Sequence, residues 1–248
     1  MGTRSGVAAR VLDVLGAFSE EAPELTLTAI ARRTGIPLTT VHRLAGELVA
    51  GGALERGEDG RYRIGLRLWE IAALAPASLG LRERAMPFLE DLHEVTRHNV
   101  TLAVPDPEDG SEVVYLERLS TRDAVSILSR TGSRLPAHAT GVGLALLAHA
   151  APDVVERVLA RPLRRFTPHT VCAPEEIRAT LASVRRCGFV ISDRQIEEVS
   201  LSVAAPVRHG AGPVVAALSI VVPADGTNPH TYVPAVRAAA RGISRALT

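Results

Sequence analysis

Apolar residues recur at helical spacing at Val7, Val11, Leu15 and Phe18, which predicts a first helix. After the polar loop SEEAPE, Thr28 stands as a candidate N-cap ahead of AIARRT. Gly35 then falls where a helix end favours a left-handed residue. Pro37 suits the first turn of the next helix, where its missing N–H would be unpaired anyway. That helix is expected to reach about Ala50 and to stop at Gly51 and Gly52. Leu54 and Arg56, a Glu-Asp-Gly tip, then Tyr62 and Ile64 predict a short hairpin. The order up to Gly65 is helix, helix, turn, helix, hairpin, that of a winged helix-turn-helix.

Beyond Gly65, LRLWEIAAL is predicted to be a helix that joins two halves and is interrupted by Pro76. LRERAMPFLEDLHEVT places Leu81, Ala85, Phe88, Leu92 and Val95 on one face of a longer helix. Strand-like runs follow at TLAVPD, EVVYLERLS and DAVSILSR, with PEDGSE as a turn. TGVGLALLAHA, PDVVERVLA and PEEIRATLASVRRCG read as helices, and FVISDRQ, LSVAAPVRHG and PVVAALSIVVP as strands. VPAVRAAARGISRAL closes the pattern as a helix. Hairpin-like neighbours such as the HGAG turn point to a mainly antiparallel sheet flanked by helices. The fold class is therefore α+β. A DNA-binding-type domain is placed at residues 1–66, a linker helix at 67–80 and a second domain at 81–248.

Composition changes this picture only at the margins. A chain of 248 residues suits two domains, and 46% apolar against 3% aromatic content means aliphatic cores. The net charge of +1 advertises no general attraction to nucleic acid, although charge can be local. Every basic residue is arginine. Cys172 and Cys187 fit neither a disulfide framework nor a thiolate metal site. The start, MGTRSGVAARVLDVLGAF, lacks a leader pattern, and no stretch reaches the ~18 uninterrupted apolar residues of a membrane span. A soluble, cytoplasmic protein with no membrane partner is expected.

The helix from Leu38 carries the sharpest chemical signal. At about 100° per residue, Leu38, Val41, Leu44, Ala45, Leu48 and Val49 share one arc. Thr39, Thr40, Arg43 and Glu47 lie opposite, with His42 at the edge. Arginine bonds guanine O6 and N7 bidentately, threonine offers a hydroxyl and a methyl, and a helix N-terminus favours phosphate. Short side chains let the backbone approach a groove. From Thr28 to Arg67 seven arginines face four acids, Arg32 and Arg33 ending one helix and Arg56, Arg61 and Arg63 flanking the hairpin tip. Thr28, Arg32, Pro37, Leu38, Thr39 and Thr40, together with His42, Arg43, Arg56, Arg61 and Arg63, are the candidate DNA contacts. The alternative is a helical domain that packs against another protein.

Taken together, LTAIARRTGIPLTTVHRLAGELVAGGALERGEDGRYRIGLRLWEIA, LRERAMPFLEDLHEVT, TGSRLPAHATGVGLALLA and GFVISDRQ…SVAAPVRHGAGPVVAALSIVVP resemble the IclR family of bacterial transcription regulators. The resemblance spans nearly the whole chain. It implies a winged helix-turn-helix, a linker helix and a GAF-like effector domain. It also implies homodimers, often paired as tetramers, on a pseudo-palindromic double-stranded operator, under control of a small molecule. Repression of a catabolic or metabolic operon is the expected sense.

In that family the effector pocket lies between the sheet, the loops around HATG and the C-terminal strand pair. Carried over by position, this nominates Leu135, Gly141, Val142, Ser192, Ser200, Ser202, Ser219 and Val221, with Asp193 and Arg194 beside them. Where the family often has an acidic pair and then a glutamate pair this chain reads SDRQ, and Ser202 stands where a cysteine is frequent. Hydroxyls in aliphatic walls, with Arg194 at hand, suit a small organic acid or a phenolic. Each serine could equally satisfy nearby backbone.

The remaining constellations point away from catalysis. His93 and His98 stand five apart, about 140° round a helix, where a zinc helix needs four. His138 is expected to bond its own loop rather than a ligand. GVGLA lacks a phosphate-loop context, no GxSxG occurs, and no cofactor or metal is expected. The competing functional reading is a metabolite-binding enzyme or sensor whose winged helix contacts protein rather than DNA.

Overall fold

The computed structural model describes residues 6–19, 21–72, 74 and 76–248. The predicted start, the SEEAPE loop and the linker each fall partly on the remainder (residues 1–5, 20, 73 and 75), which lie outside the described residues. The chain divides into two compact units, one ending at Pro76 and one beginning at Ala77.

The first unit runs α1 (Val7–Leu15), β1 (Glu24–Leu25), α2 (Leu27–Thr34), α3 (Leu38–Ala50), β2 (Leu54–Arg56), β3 (Tyr62–Ile64) and α4 (Leu66–Ala72). The predicted hairpin gains a third strand, because Leu25 pairs with Tyr62 and gives the antiparallel order β1-β3-β2. That pairing keeps the chain extended up to residue 26, so the N-cap of α2 is Thr26 and not Thr28. The Ala29 N–H donates to Thr26 Oγ1 at 3.2 Å, and Thr28 sits exposed in the first turn. Gly35 ends α2 in the left-handed region at φ 70°, as its position predicts. Pro37 is the extended N-cap residue of α3, one place before the first turn. Val14, Ile30, Val41, Leu44 and Ala45 are sealed in an aliphatic core, while Val7, expected on the buried face, is exposed.

In the second unit α5 (Pro76–Thr96) precedes β4 (Asn99–Pro105), β5 (Glu112–Leu119) and β6 (Arg134–Pro136). Then come α6 (Gly141–Leu147), α7 (Pro152–Leu159), α8 (Pro174–Cys187), β7 (Val190–Asp193), β8 (Ser200–Arg208), β9 (Val214–Pro223) and α9 (Val233–Ala246). The sheet is antiparallel throughout, in the order β6-β5-β4-β9-β8-β7. Pro76 opens α5 and does not simply break the preceding helix, and Val95 is exposed, with Leu89 filling the core in its place.

Period-two alternation explains the layers. Leu102, Val203, Leu218 and Ile220 point to one face, against Leu89 of α5 and Val236 and Ile243 of α9. Ala103, Ala204 and Ala217 point to the other, where their small side chains admit α6 and α8 through Leu144, Ile177 and Leu181. DAVSILSR forms no strand. Its backbone is held by side chains instead, Asn99 Nδ2 donating to the Val125 carbonyl and the Leu128 N–H to Glu197 Oε2.

Candidate functional site

Two places in the fold collect the predicted residues. The first is the outer side of α3. Val41, Leu44 and Ala45 are fully buried beneath it, while Leu38, Thr39, His42 and Arg43 are exposed and Thr40 is half-buried. Arg43 reaches along the helix to Glu47 at 2.6 Å, an exposed pair that constrains it weakly. Arg32 is exposed on α2, but Arg33 is structural, its guanidinium donating to the Ala17 carbonyl at 2.7 Å.

At the hairpin the arginines divide. Arg56 lies over the Tyr62 ring and Arg61 pairs with Asp59 at the tip. Arg63 is held between Glu55 at 2.9 Å and Glu24 at 3.9 Å, so it is the least available of the set.

The second place is a cavity of about 50 Å³ in the second unit. Leu135, Gly141, Val142, Ser192, Ser200, Ser202, Ser219 and Val221 all line it. Ser202 and Ser219 come together through strand register, since Ser202 pairs across with Val221 and Ser219 with Ala204. Gly141 sits against the same strands, and a Cβ there would lie 2.5 Å from Ser202 Oγ. Ser219 Oγ is bonded at 2.8 Å to Thr101 Oγ1, and each of these hydroxyls is buried.

Asp193 and Arg194 require correction: they do not line the cavity. Alternation along β7 turns Ser192 inward and Asp193 outward, and Arg194 pairs with Asp193 and with Asp225 at 2.8 Å. The cationic group expected for an acid is therefore engaged elsewhere.

Tyr115, Ile127, Ser129, Ala139, Thr140 and the segment Gln195–Glu197 line the cavity without having been anticipated. Alternation along EVVYLERLS puts Val113, Tyr115 and Glu117 on one face and could have found the tyrosine; the loop residues carry no local signal. Burial raises the Tyr115 pKa, and the Glu197 charge adds to it, so the phenol stays protonated. Burial also lifts the Glu197 carboxyl above the usual carboxylate range, against opposing pulls from the Leu128 N–H and the Arg118 charge. His138 is buried but bonds the Arg164 carbonyl at 3.0 Å, 26 positions away, and not its own loop. His93 Nδ1 donates to the His98 carbonyl at 2.8 Å. Among the described residues no group of three or more His, Cys, Asp or Glu side chains could hold a metal, and no helix is long and apolar enough to cross a membrane.

Both units, the one with the exposed α3 and the one with the hydroxyl-lined cavity, are matched by families of known proteins. Residues 7–58 match the IclR helix-turn-helix domain, and residues 74–245 match the bacterial transcriptional regulator IclR C-terminal domain. The chain belongs to the IclR family. It is 32% identical over 213 residues to the HTH-type transcriptional regulator XynR of Escherichia coli, covering 85% of this chain and 83% of XynR. It is 30% identical over 240 residues to the transcriptional regulator KdgR of Dickeya chrysanthemi, covering 95% and 77%. Among solved structures, an IclR homolog from Microbacterium hydrocarbonoxydans complexed with 4-hydroxybenzoate is 43% identical, with a TM-score of 0.90 over 98% of this chain and 99% of its own. This IclR-family chain is thus a transcription regulator with a helix-turn-helix DNA-binding domain and an effector-binding domain. The reading of an enzyme whose winged helix contacts protein does not hold, because the IclR family consists of transcription regulators.

Proposed function

We propose that the protein is a repressor that binds a pseudo-palindromic duplex operator as a homodimer and responds to a small phenolic acid. The observation that carries the DNA part is the exposed N-terminal half of α3, with Thr39, His42 and Arg43 directed away from Val41, Leu44 and Ala45. Arg43 and Thr39 read base edges, while Thr28, Arg32, Pro37, Leu38, Thr40 and His42 approach the groove walls. Arg56 and Arg61 take phosphates at the hairpin, and Arg63 joins them once released from its two acids. Self-association draws support from exposed apolar side chains on α4, Leu66, Trp69 and Ile71, which a second copy would cover. Relatives named as repressors, IclR of Escherichia coli and AllR of Klebsiella pneumoniae, support the sign. A DNA-bound role fits a cytoplasmic protein.

The test is a binding titration with duplex from upstream of the protein's own gene across a salt series. Affinity is expected to fall steeply, since each neutralised phosphate adds about 0.9 to the slope of log K against log salt. A flat response would remove the DNA reading.

For the effector, the hydroxyl-rich wall suits a phenol or carboxylate, and a 43% identical relative is described with 4-hydroxybenzoate. The Gln195–Glu197 segment lines the same cavity and would border a ring held there. A ligand that prefers one arrangement of the dimer shifts operator affinity by its difference in binding energy.

Glu197 sets an expected pH dependence. Its pKa is raised in the fold, so the neutral form, and the stability that goes with it, is retained at low pH and lost as pH rises through the folded pKa. An ionised Glu197 repels an anionic ligand, whereas Tyr115 remains a neutral donor. The thermal shift produced by 4-hydroxybenzoate should therefore shrink as pH rises, and Glu197→Gln should flatten that profile. An unchanged profile in the variant would place the ligand elsewhere.

A further inference from the structure

A second cleft, of about 520 Å³, lies in the effector unit where the ends of α8, β8 and α9 converge. Arg185, Arg208, Arg237, Arg241 and Arg245 line it with His149, and no aspartate or glutamate does. Even a carboxylate at Thr248, which also lines it, leaves the surplus strongly positive.

Elsewhere in the same unit several arginines are matched to acids. Arg82 pairs with Glu117, Arg134 with Asp106, Arg161 with Asp109 and Arg178 with Glu156. None of the five cleft arginines has a carboxylate partner among the described residues.

The arrangement has a cost. Arg237, Arg241 and Arg245 follow one another at intervals of four on α9, so they share one helix face and repel. Basic residues at helix C-termini normally complement the dipole, which accounts for Arg185 and Arg245. It does not account for Arg237, in the N-terminal half of α9, or for Arg208, on a strand. Arg185 and Arg208 are moreover held in place: Arg185 donates to the Ala148 carbonyl at 3.0 Å, and Arg208 to the Gly212 carbonyl at 3.2 Å and toward His149 Nδ1 at 3.4 Å. Burial lowers the His149 pKa, and the charges of Arg208 and Arg185 lower it further.

We propose that this cleft is a second ligand site, for a compact multivalent oxyanion. Guanidinium forks match phosphate and carboxylate oxygens bidentately, and the volume is that of a small-molecule site. Apart from the imidazole, the lining has no aromatic ring on which a nucleobase would stack, which favours a phosphate ester or a polycarboxylate over a nucleotide. The cleft shares no lining residue with the hydroxyl-lined cavity.

The experiment is isothermal titration of the full chain with pyrophosphate and, separately, with citrate, at constant ionic strength. The preferred anion identifies phosphoryl or carboxylate as the recognised group. Arg237→Gln and Arg241→Gln should each weaken it at least about tenfold, with the unliganded melting temperature unchanged or raised because a repulsion is removed. The 4-hydroxybenzoate thermal shift should stay intact in these variants. The proposal is overturned if neither anion binds, or if both variants bind like the parent. It is also overturned if the variants lose only sequence-indifferent duplex binding, which would assign the arginines to a nucleic-acid backbone.

Discussion

Replacing Arg43 by alanine is expected to weaken operator binding about 10- to 100-fold while leaving the fold intact. The side chain is 54% exposed, and among the described residues its one ionic partner is Glu47, itself 58% exposed. An exposed pair of this kind contributes under about 1 kcal/mol, so the helix loses little. A bidentate contact to guanine contributes about 1–3 kcal/mol, which is the loss expected on DNA. A mobility-shift series on operator and on scrambled duplex separates two causes. A base contact predicts relaxed preference at one position, whereas a phosphate contact predicts uniform weakening and a shallower salt slope. Glu47→Ala, which frees the guanidinium and removes a negative charge from the groove-facing side, should hold or raise affinity. If Arg43→Ala changes neither affinity nor preference, α3 does not read bases.

A methyl group at position 143 is expected to destabilise the effector unit by about 2–4 kcal/mol, lowering its melting temperature by roughly 5–10 °C. A Cβ there would overlap the Ala137 carbonyl oxygen and Cα, and backbone cannot swing aside. The Gly143 N–H is also the group that Thr140 Oγ1 caps, so displacement would disturb the start of α6. Gly141→Ala, two residues earlier, should behave differently. Its Cβ would meet Ser202 Oγ at 2.5 Å and Ala204 Cβ at 3.3 Å, and a serine hydroxyl can rotate away. The fold should lose under about 1 kcal/mol, while a cavity of about 50 Å³ loses its room. Differential scanning calorimetry with and without 4-hydroxybenzoate distinguishes the two. Gly143→Ala should lower the melting point of the unliganded protein, and Gly141→Ala should abolish only the ligand-induced rise. Ligand binding that survives Gly141→Ala would mean the effector sits elsewhere.

Much of the frame was legible because its causes are local. The 3.6-residue period alone separates Val41, Leu44 and Ala45 from Thr39 and Arg43, and the structure buries the first set and exposes the second. Gly35 marks a helix end through its own backbone freedom, and the three C-terminal strands are found where apolar and small residues alternate. Local signals failed where a distant partner decides. LTLT offers two threonines as caps, and the pairing of Leu25 with Tyr62, 37 positions away, selects Thr26. DAVSILSR has strand-like composition, yet side chains of Asn99 and Glu197 take up its backbone groups.

The cavity divides the same way. The sequence by itself determined that two units are present, that one carries a polar helix face over an aliphatic base, and that the other holds small and hydroxyl side chains on one face of its strands. Only the tertiary structure decided which hydroxyls share a wall, since the β8–β9 register brings Ser202 beside Val221 and Ala204 beside Ser219. It likewise turned Arg194 out toward Asp225, brought Glu197 in from a loop, and gathered five guanidiniums in a cleft elsewhere. The reason is physical: side-chain direction follows from backbone period within an element, but proximity between elements follows from hydrogen-bond register and packing, which no short window of sequence contains.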